Sequence, residues 1–419
     1  MACGQEKETA TGPPVVAVWS HSAQPSERET LKAQVDRFNA AQDGAAIDLT
    51  IIPEGSYNGQ VQASAVAGDL PDLLEFDGPY VYNYVWQGML QPLTTLLPEK
   101  LKSDLLPSIL AQGRYNGTLY SVGTFDSGLG LYGRRELLAA AGVRIPKGPE
   151  DAWSVTEFEK ALASLAEKDP DGAVLDFKLN YSGEWFTYAF SPILWSAGGG
   201  LIDRDGHDAA DGVLNGPASV SAMERLQGWF RKGYVDPNLD DAAFTGGRVA
   251  LSWVGHWEYG RYRKAWGGDL MVMPLPDFGE GTRTGQGSWN WGIPRSSKHP
   301  ELAARFLEFL LGPEEILAMT DANGAVPATR AAIERSERYA EGRPLRLFAE
   351  QLLEGYAAPR PRTPAYPVIS SVFTKAFHDI RDGADVKKTL DEAAEAIDRD
   401  IEMNNGYPDP ADATPEGAP

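Results

Sequence analysis

Between Arg248 and Tyr259 the chain reads Arg-Val-Ala-Leu-Ser-Trp-Val-Gly-His-Trp-Glu-Tyr, an apolar run that breaks at Gly255 and resumes with Trp257 at the start of a helix. A turn from strand to helix leaves backbone N–H groups without intrahelical partners. Gly255 and His256 occupy that turn, with the indole of Trp257 beside them. A flat ring next to hydrogen-bond donors suits a sugar, which has a C–H face to stack and hydroxyl edges to bond. Trp253 and Trp257 are also residues a core would use. The site reading gains because other strand ends carry the same mixture: Ser20-His21-Ser22 with Ala23-Gln24, Glu54-Gly55-Ser56, and Asp77-Gly78-Pro79-Tyr80.

Carboxylates recur among these groups. Asp77 and Glu54 close apolar runs, Asp126 sits in Thr124-Phe125-Asp126-Ser127, and Glu184 heads the aromatic stretch Glu184-Trp185-Phe186-Thr187-Tyr188. Carboxylates accept hydrogens from sugar hydroxyls, and a converging pair is also the machinery of glycoside hydrolysis. Residue types alone leave both open. Trp289 in Ser288-Trp289-Asn290-Trp291 offers a further ring, and Arg360 and Arg362 lie in a proline-rich loop that either reaches the same cleft or sits in solvent.

Other motifs fail on context. Gly128-Leu-Gly130-Leu-Tyr-Gly133 matches a dinucleotide pattern literally, but leucines alternating with glycines read as a strand rather than the required turn. Asp203-Arg-Asp205-Gly206-His-Asp208 lacks the spacing and terminal glutamate of a calcium loop, and reads as a solvated hairpin turn. His21, His207, His256, His299 and His378 never fall at metal-ligand spacing, and neither H-E-x-x-H nor G-x-S-x-G occurs. Metal hydrolysis and serine esterase chemistry therefore have no support in the sequence, and no metal or cofactor is expected.

The elements that would position these side chains alternate. Val15 to Trp19 reads as a strand, and a helix opening at Ser26-Glu27 follows with Leu31, Val35 and Phe38 on one face. Ile47 to Ile52 is a second strand, Tyr57 to Ala67 a helix closed by Gly68, and Leu73 to Phe76 a third strand. This order predicts an α/β fold with a parallel sheet whose strand carboxyl ends share one edge. Asn116-Gly117 predicts a hairpin. Ser154 with Glu157 predicts a capped helix.

At 419 residues the chain exceeds what one core usually serves, so two lobes are expected. The net charge of −21 repels phosphate backbones, which argues against nucleic acid as a partner. No stretch approaches the roughly 18 apolar residues of a membrane-spanning helix. The single cysteine, Cys3, stands in Met-Ala-Cys-Gly ahead of a polar stretch to Pro14. This resembles the end of a bacterial lipoprotein signal, in which a lipid on Cys3 would anchor the chain; a chance free thiol is the other reading.

Taken together, the chain resembles bacterial extracellular solute-binding proteins of the maltose type, the receptors of ABC importers. The resemblance rests on Val16-Ala-Val-Trp19-Ser with Phe38-Asn39, Gly68-Asp69-Leu70-Pro71-Asp72, Phe125-Asp126-Ser127 before Leu131-Tyr132, and Phe244-Thr-Gly-Gly247-Arg-Val-Ala250. Gly292-Ile-Pro, Ala303 to Leu310 and Asn323-Gly-Ala-Val-Pro327 extend it over nearly the whole length. It implies a two-lobe periplasmic-binding-protein-like fold that closes on a sugar by hinge motion. The lobes would comprise residues 15–124 with 285–340, and 125–284 with 341–403, between a tether at 1–14 and a disordered tail at 404–419. Asp126, Glu184, one of Trp185 or Phe186, and Trp257 fall on that family's sugar-contacting positions. Ser22, Gln24, Glu54, Asp77 and Tyr80 complete the expected site with Gly255, His256, Trp289 and Arg362. Where the family has a charged Asp-Lys pair after the first strand, this chain has Ala23-Gln24, so the resemblance does not extend to specificity for maltose and leaves the sugar open. The implied protein is a monomeric, non-enzymatic receptor for a neutral mono- or oligosaccharide, docking on membrane permease subunits. It would sit at the extracellular face of the cytoplasmic membrane, lipid-anchored through Cys3.

Overall fold

Two mixed sheets, each covered by helices, carry the fold. The computed structural model describes residues 13–287 and 289–409, so Cys3 with its tether, Ser288 and the segment beyond 409 lie outside the described residues. The first sheet has the order Ala46–Ile52, Val15–His21, Leu73–Asp77, Trp289–Gly292, Ser121–Val122. Its first three strands run parallel, with Val15 beside Ala46 and Val18 beside Leu73. The expectation of a purely parallel sheet is corrected by Trp289–Gly292. This strand arrives from far along the chain and pairs antiparallel with Leu73–Asp77, Trp289 opposite Asp77. Local periodicity carries no signal for such an insertion, because the partner strands are remote in sequence.

The helices between these strands form for local reasons. Pro25 starts Pro25–Ala41 at a position that needs no amide donor. The helix Glu54–Ala67 begins earlier than the sequence suggested and ends at Gly68, whose left-handed φ of 71° a side chain would resist. In the Asn116-Gly117 hairpin both turn residues have positive φ.

The second sheet has the order Leu270–Met273, Leu129–Arg134, Leu251–Gly255, Leu175–Asp176. Leu129–Arg134 is antiparallel to both neighbours, which confirms the glycine-rich stretch as a strand. The apolar run ahead of the Gly255 break forms the strand Leu251–Gly255, and all five residues are buried. Ser252 is among them, and its hydroxyl bonds to Asp176 and Tyr262. Ser154 caps Val155–Ala166 as expected, its Oγ accepting from the Glu157 amide while Glu157 accepts from the Ser154 amide.

The chain passes from the first sheet to the second through Phe125–Asp126, which pairs with Val326–Pro327, and returns through Thr284–Gln286, which pairs with Ala357–Pro359. Residues 404–409, read as the start of a disordered tail, fold back on the first sheet's side. The Trp86 indole donates to the Pro408 carbonyl at 3.0 Å, and the Tyr407 ring packs edge-on against Trp86.

Candidate functional site

A cleft of about 280 Å³ opens where the carboxyl ends of the first sheet's parallel strands face the Gly255 end of the second sheet. Ligands of open α/β sheets lie at such strand ends. His21, Gln24, Glu27, Glu54, Asp77 and Trp289 line one wall. Tyr181, Glu184, Trp185, Tyr188, His256 and Trp257 line the other, and Arg360 lies between them.

On the first wall, His21 Nδ1 is 2.8 Å from Glu75 Oε2, an oxygen that also accepts from Ser20 Oγ at 2.5 Å. Burial alone would lower the His21 pKa, but the charge of Glu75 and their hydrogen bond outweigh it and raise the pKa to about 9. The charged imidazole stacks flat on Trp289. Glu27, buried next to this pair, is pushed up to about 7 by burial and by Glu75, against the pull of His21. Glu54 stands exposed at the cleft, in the first turn of its helix.

Arg360 is 4% exposed and joins the two walls. Its Nη1 donates to Asp77 Oδ2 at 2.8 Å and to Glu184 Oε2 at 3.2 Å, its Nη2 donates to Asp77 Oδ1, and its guanidinium lies 5.0 Å from the centre of the Tyr188 ring. Glu184 also accepts from the hydroxyls of Tyr80 at 2.8 Å, Tyr366 at 2.5 Å and Ser370 at 2.5 Å. A carboxylate has about four lone-pair positions, and the protein's own donors occupy them here. Burial raises the Glu184 pKa, with Arg360 opposing and Asp77 adding to the rise.

On the second wall, His256 Nδ1 is 2.8 Å from the Asn323 carbonyl and Nε2 is 3.0 Å from Ser127 Oγ. The carbonyl can only accept, so Nδ1 carries the proton and Nε2 accepts from Ser127. Burial lowers this histidine to about 4, and it is neutral at pH 7. Trp257 lies across the end of its own strand: a Cβ at Gly255 would sit 2.0 Å from the indole Cζ3. Gly255 is thus required by Trp257, its own φ of −88° being open to any residue. Trp185 and Tyr188 pack against the same indole, Trp185 edge-on at 6.0 Å.

The family described as bacterial extracellular solute-binding protein matches residues 33–342. This chain belongs to that family. Among curated relatives, the solute-binding protein is 25% identical to the maltodextrin-binding protein MdxE of Bacillus subtilis over 409 residues, covering 94% of this chain and 91% of MdxE. It is 24% identical to the maltooligosaccharide ABC transporter solute-binding lipoprotein of Streptococcus pneumoniae, over 66% of this chain and 63% of that protein. Among solved structures it superposes on the GacH receptor of Streptomyces glaucescens with a TM-score of 0.79 at 23% identity, covering 94% of this chain and 100% of that one. The cyclic α-maltosyl-1,6-maltose binding protein of Arthrobacter globiformis gives a TM-score of 0.73 at 24% identity, with 94% and 100% covered. These likenesses establish the maltose-binding type of two-lobe periplasmic-binding-protein fold.

Within the solute-binding protein, five of the expected site residues lie off the cleft lining. Asp126 is fully buried beneath it, accepting from the Ser127 amide at 2.8 Å, Gln112 Nε2 at 3.2 Å and the Gly287 amide at 3.3 Å. Phe125 and Ser127 on either side do line the cleft, so a one-residue alternation in an extended segment turned Asp126 inward. Ser22 accepts from the Glu54 amide at 3.3 Å and supports the helix entry. Gly255 acts through the room it leaves, and Tyr80 through its bond to Glu184. Arg362 lines an adjoining crevice with Gly78, Pro79 and Tyr82, and only its neighbour Arg360, which lines both spaces, reaches the cleft. Trp253 is a core residue, 1% exposed. The sequence reading missed Glu27 and the loop Asn180-Tyr181-Ser182. That loop's position, immediately before Gly183 and the Glu184 aromatic stretch, was the available signal. No metal-holding group of acidic, histidine or cysteine side chains occurs among the described residues.

Proposed function

We propose that this solute-binding protein is the carbohydrate receptor of an ABC importer, closing two lobes on a neutral mono- or oligosaccharide and handing it to membrane permease subunits. The observation that carries this reading is Trp257, an indole lying at the cleft over the space that Gly255 leaves and bordered by the polar loop Asn180–Ser182 and by carboxylates. Each stacked aromatic contributes roughly 0.5 to 1.5 kcal/mol beyond burial, and a hydrogen bond to a charged acceptor roughly 1.5 to 3. A handful of such contacts reaches the roughly −8 kcal/mol of a micromolar complex. The guanidinium of Arg360 is paired with two carboxylates, Asp77 and Glu184, so no net positive charge is left there to favour a phosphate or carboxylate ligand. The curated relatives named above are described as binders of maltodextrins or maltooligosaccharides.

In this reading the lobes comprise 15–124 with 285–340 and 125–284 with 341–403, and the ribbons at Phe125–Asp126 and Thr284–Gln286 flex between them. The protein acts as a monomer tethered outside the cell through Cys3, and as a binder rather than an enzyme, since Asp77 and Glu184 are both held by the Arg360 guanidinium and are not free to serve as an acid and base pair. A thermal-shift screen over glucose, maltose, maltotriose and mannobiose tests the assignment, because a ligand at a hundredfold its Kd adds about 2.7 kcal/mol of stability. A sugar that raises Tm and is recovered uncleaved after prolonged incubation supports the reading. Silence across neutral saccharides, with a shift from an anionic solute, overturns it.

A further inference from the structure

Behind the Trp257 ring runs a chain of polar contacts that the cleft lining alone does not explain. Trp257 Nε1 donates to Tyr181 Oη at 3.3 Å, and Tyr181 Oη donates to Glu258 Oε1 at 2.7 Å. Glu258 is 1% exposed, and its other oxygen accepts from Arg261 Nε at 2.7 Å. Arg261 continues to Asp241 at 2.6 Å, and Asp241 to the buried Lys178 at 2.8 Å. Lys178 has a φ of 52°, a left-handed conformation that a side chain rarely adopts, and its amide is held by Asp176 at 2.8 Å. The chain therefore fixes the start of the 178–182 loop at one end and the indole at the other. Hydrogen bonds arranged head to tail toward a carboxylate strengthen one another. The indole N–H accordingly sees a hydroxyl made more basic by Glu258.

We infer that Tyr181 is a positioning residue for ligand binding, acting through Trp257: its hydroxyl, backed by Glu258, holds the indole in the plane that a ligand stacks on. The inference rests on the carbohydrate-receptor reading, because it assigns to that reading's stacking ring the group that orients it. Gly255 and Tyr181 then have complementary roles. Gly255 leaves the space over which the ring lies, and Tyr181 prevents rotation within that space. Tyr181 also lines the cleft, so direct contact with a ligand is the competing role that an experiment must separate.

A double-mutant cycle on the full chain makes that separation, with Tyr181→Phe and Trp257→Phe, since phenylalanine keeps a ring at 257 but has no N–H to hold. Maltotriose is the probe, and glucose, maltose and mannobiose serve in parallel. Tyr181→Phe is expected to weaken binding three- to tenfold in the parent and less than twofold in the Trp257→Phe background. In the ligand-free protein, the indole ¹⁵N–¹H resonance that disappears in Trp257→Phe is expected to shift in Tyr181→Phe, alongside a fall in Tm of the same size in both backgrounds as buried Glu258 loses a donor. Equal losses in both backgrounds would show Tyr181 touching the ligand itself and overturn the inference, as would an unmoved indole resonance. Should none of the four sugars bind the parent, the carbohydrate reading fails, while the ligand-free resonance still decides whether Tyr181 sets the ring.

Discussion

The imidazole of His21 lies flat on the indole of Trp289, with ring centroids 3.6 Å apart and planes 4° from parallel. The imidazole is charged because Glu75 holds its pKa near 9 in spite of burial. A histidine whose folded pKa is raised adds stability that is complete below its unfolded value of 6.5 and lost as pH rises through about 9. The amount at stake is on the order of 3 kcal/mol. Chemical denaturation between pH 6 and 10 should show stability falling through the upper part of this range, and His21→Gln should remove most of that slope. Parallel curves for parent and variant would discard the assignment.

Trp257→Ala should weaken saccharide binding at least tenfold by isothermal titration calorimetry. Loss of the stacked indole and of its buried area together exceed the 1.4 kcal/mol that a factor of ten represents. Unchanged affinity would remove this residue from the site.

Gly255→Ala should cost about 1 to 3 kcal/mol of stability through overpacking against the indole, and should weaken binding about as much as Trp257→Ala does. The added cost should vanish when the alanine is introduced into Trp257→Ala, because nothing then occupies the space. Persistence of the stability penalty in the double variant would mean that the backbone, rather than the ring, demands glycine.

Asp126→Ala should lower stability by roughly 2 to 4 kcal/mol, since it removes the carboxylate that accepts from the buried amides of Ser127 and Gly287. Its effect on saccharide affinity should be small beside that of Trp257→Ala. A large affinity loss at unchanged Tm would return Asp126 to the cleft.

Arg360→Met leaves Asp77 and Glu184 buried together without their shared cation, which should cost about 3 to 5 kcal/mol at pH 7. Asp77 already raises the Glu184 pKa and Arg360 opposes it, so the variant's Glu184 takes up a proton more readily as pH falls. The stability gap to the parent should therefore narrow between pH 7 and pH 5. A gap of constant size would refute the account of the clamp.

What the sequence disclosed follows the range of the interaction involved. Gly68 as a helix stop, Asn116-Gly117 as a hairpin, and Ser154 with Glu157 as a capping box are settled within a few residues, and each is found where the sequence placed it. The cleft positions of His256, Trp257 and Glu54 were legible because strand ends mark the binding edge of an α/β sheet. Asp126 was misplaced because one step along an extended segment reverses the side chain, and the strand-end rule does not fix that parity. The commitment of Glu184 and Asp77 to Arg360 was hidden for a different reason. Those partners lie 176 and 283 positions away in the chain, a separation that no local pattern records.

The strand Trp289–Gly292 sits inside the first sheet, between Leu73–Asp77 and Ser121–Val122, and among the described residues is the only strand of that sheet beside Ser121–Val122. A ribosome must therefore release about two thirds of the chain before the amino-terminal half can finish its sheet, and closing so long a loop slows folding. A truncation ending near residue 124 should fail to fold alone, since Ser121–Val122 would have no neighbour in the sheet until that late-arriving strand slots in beside it.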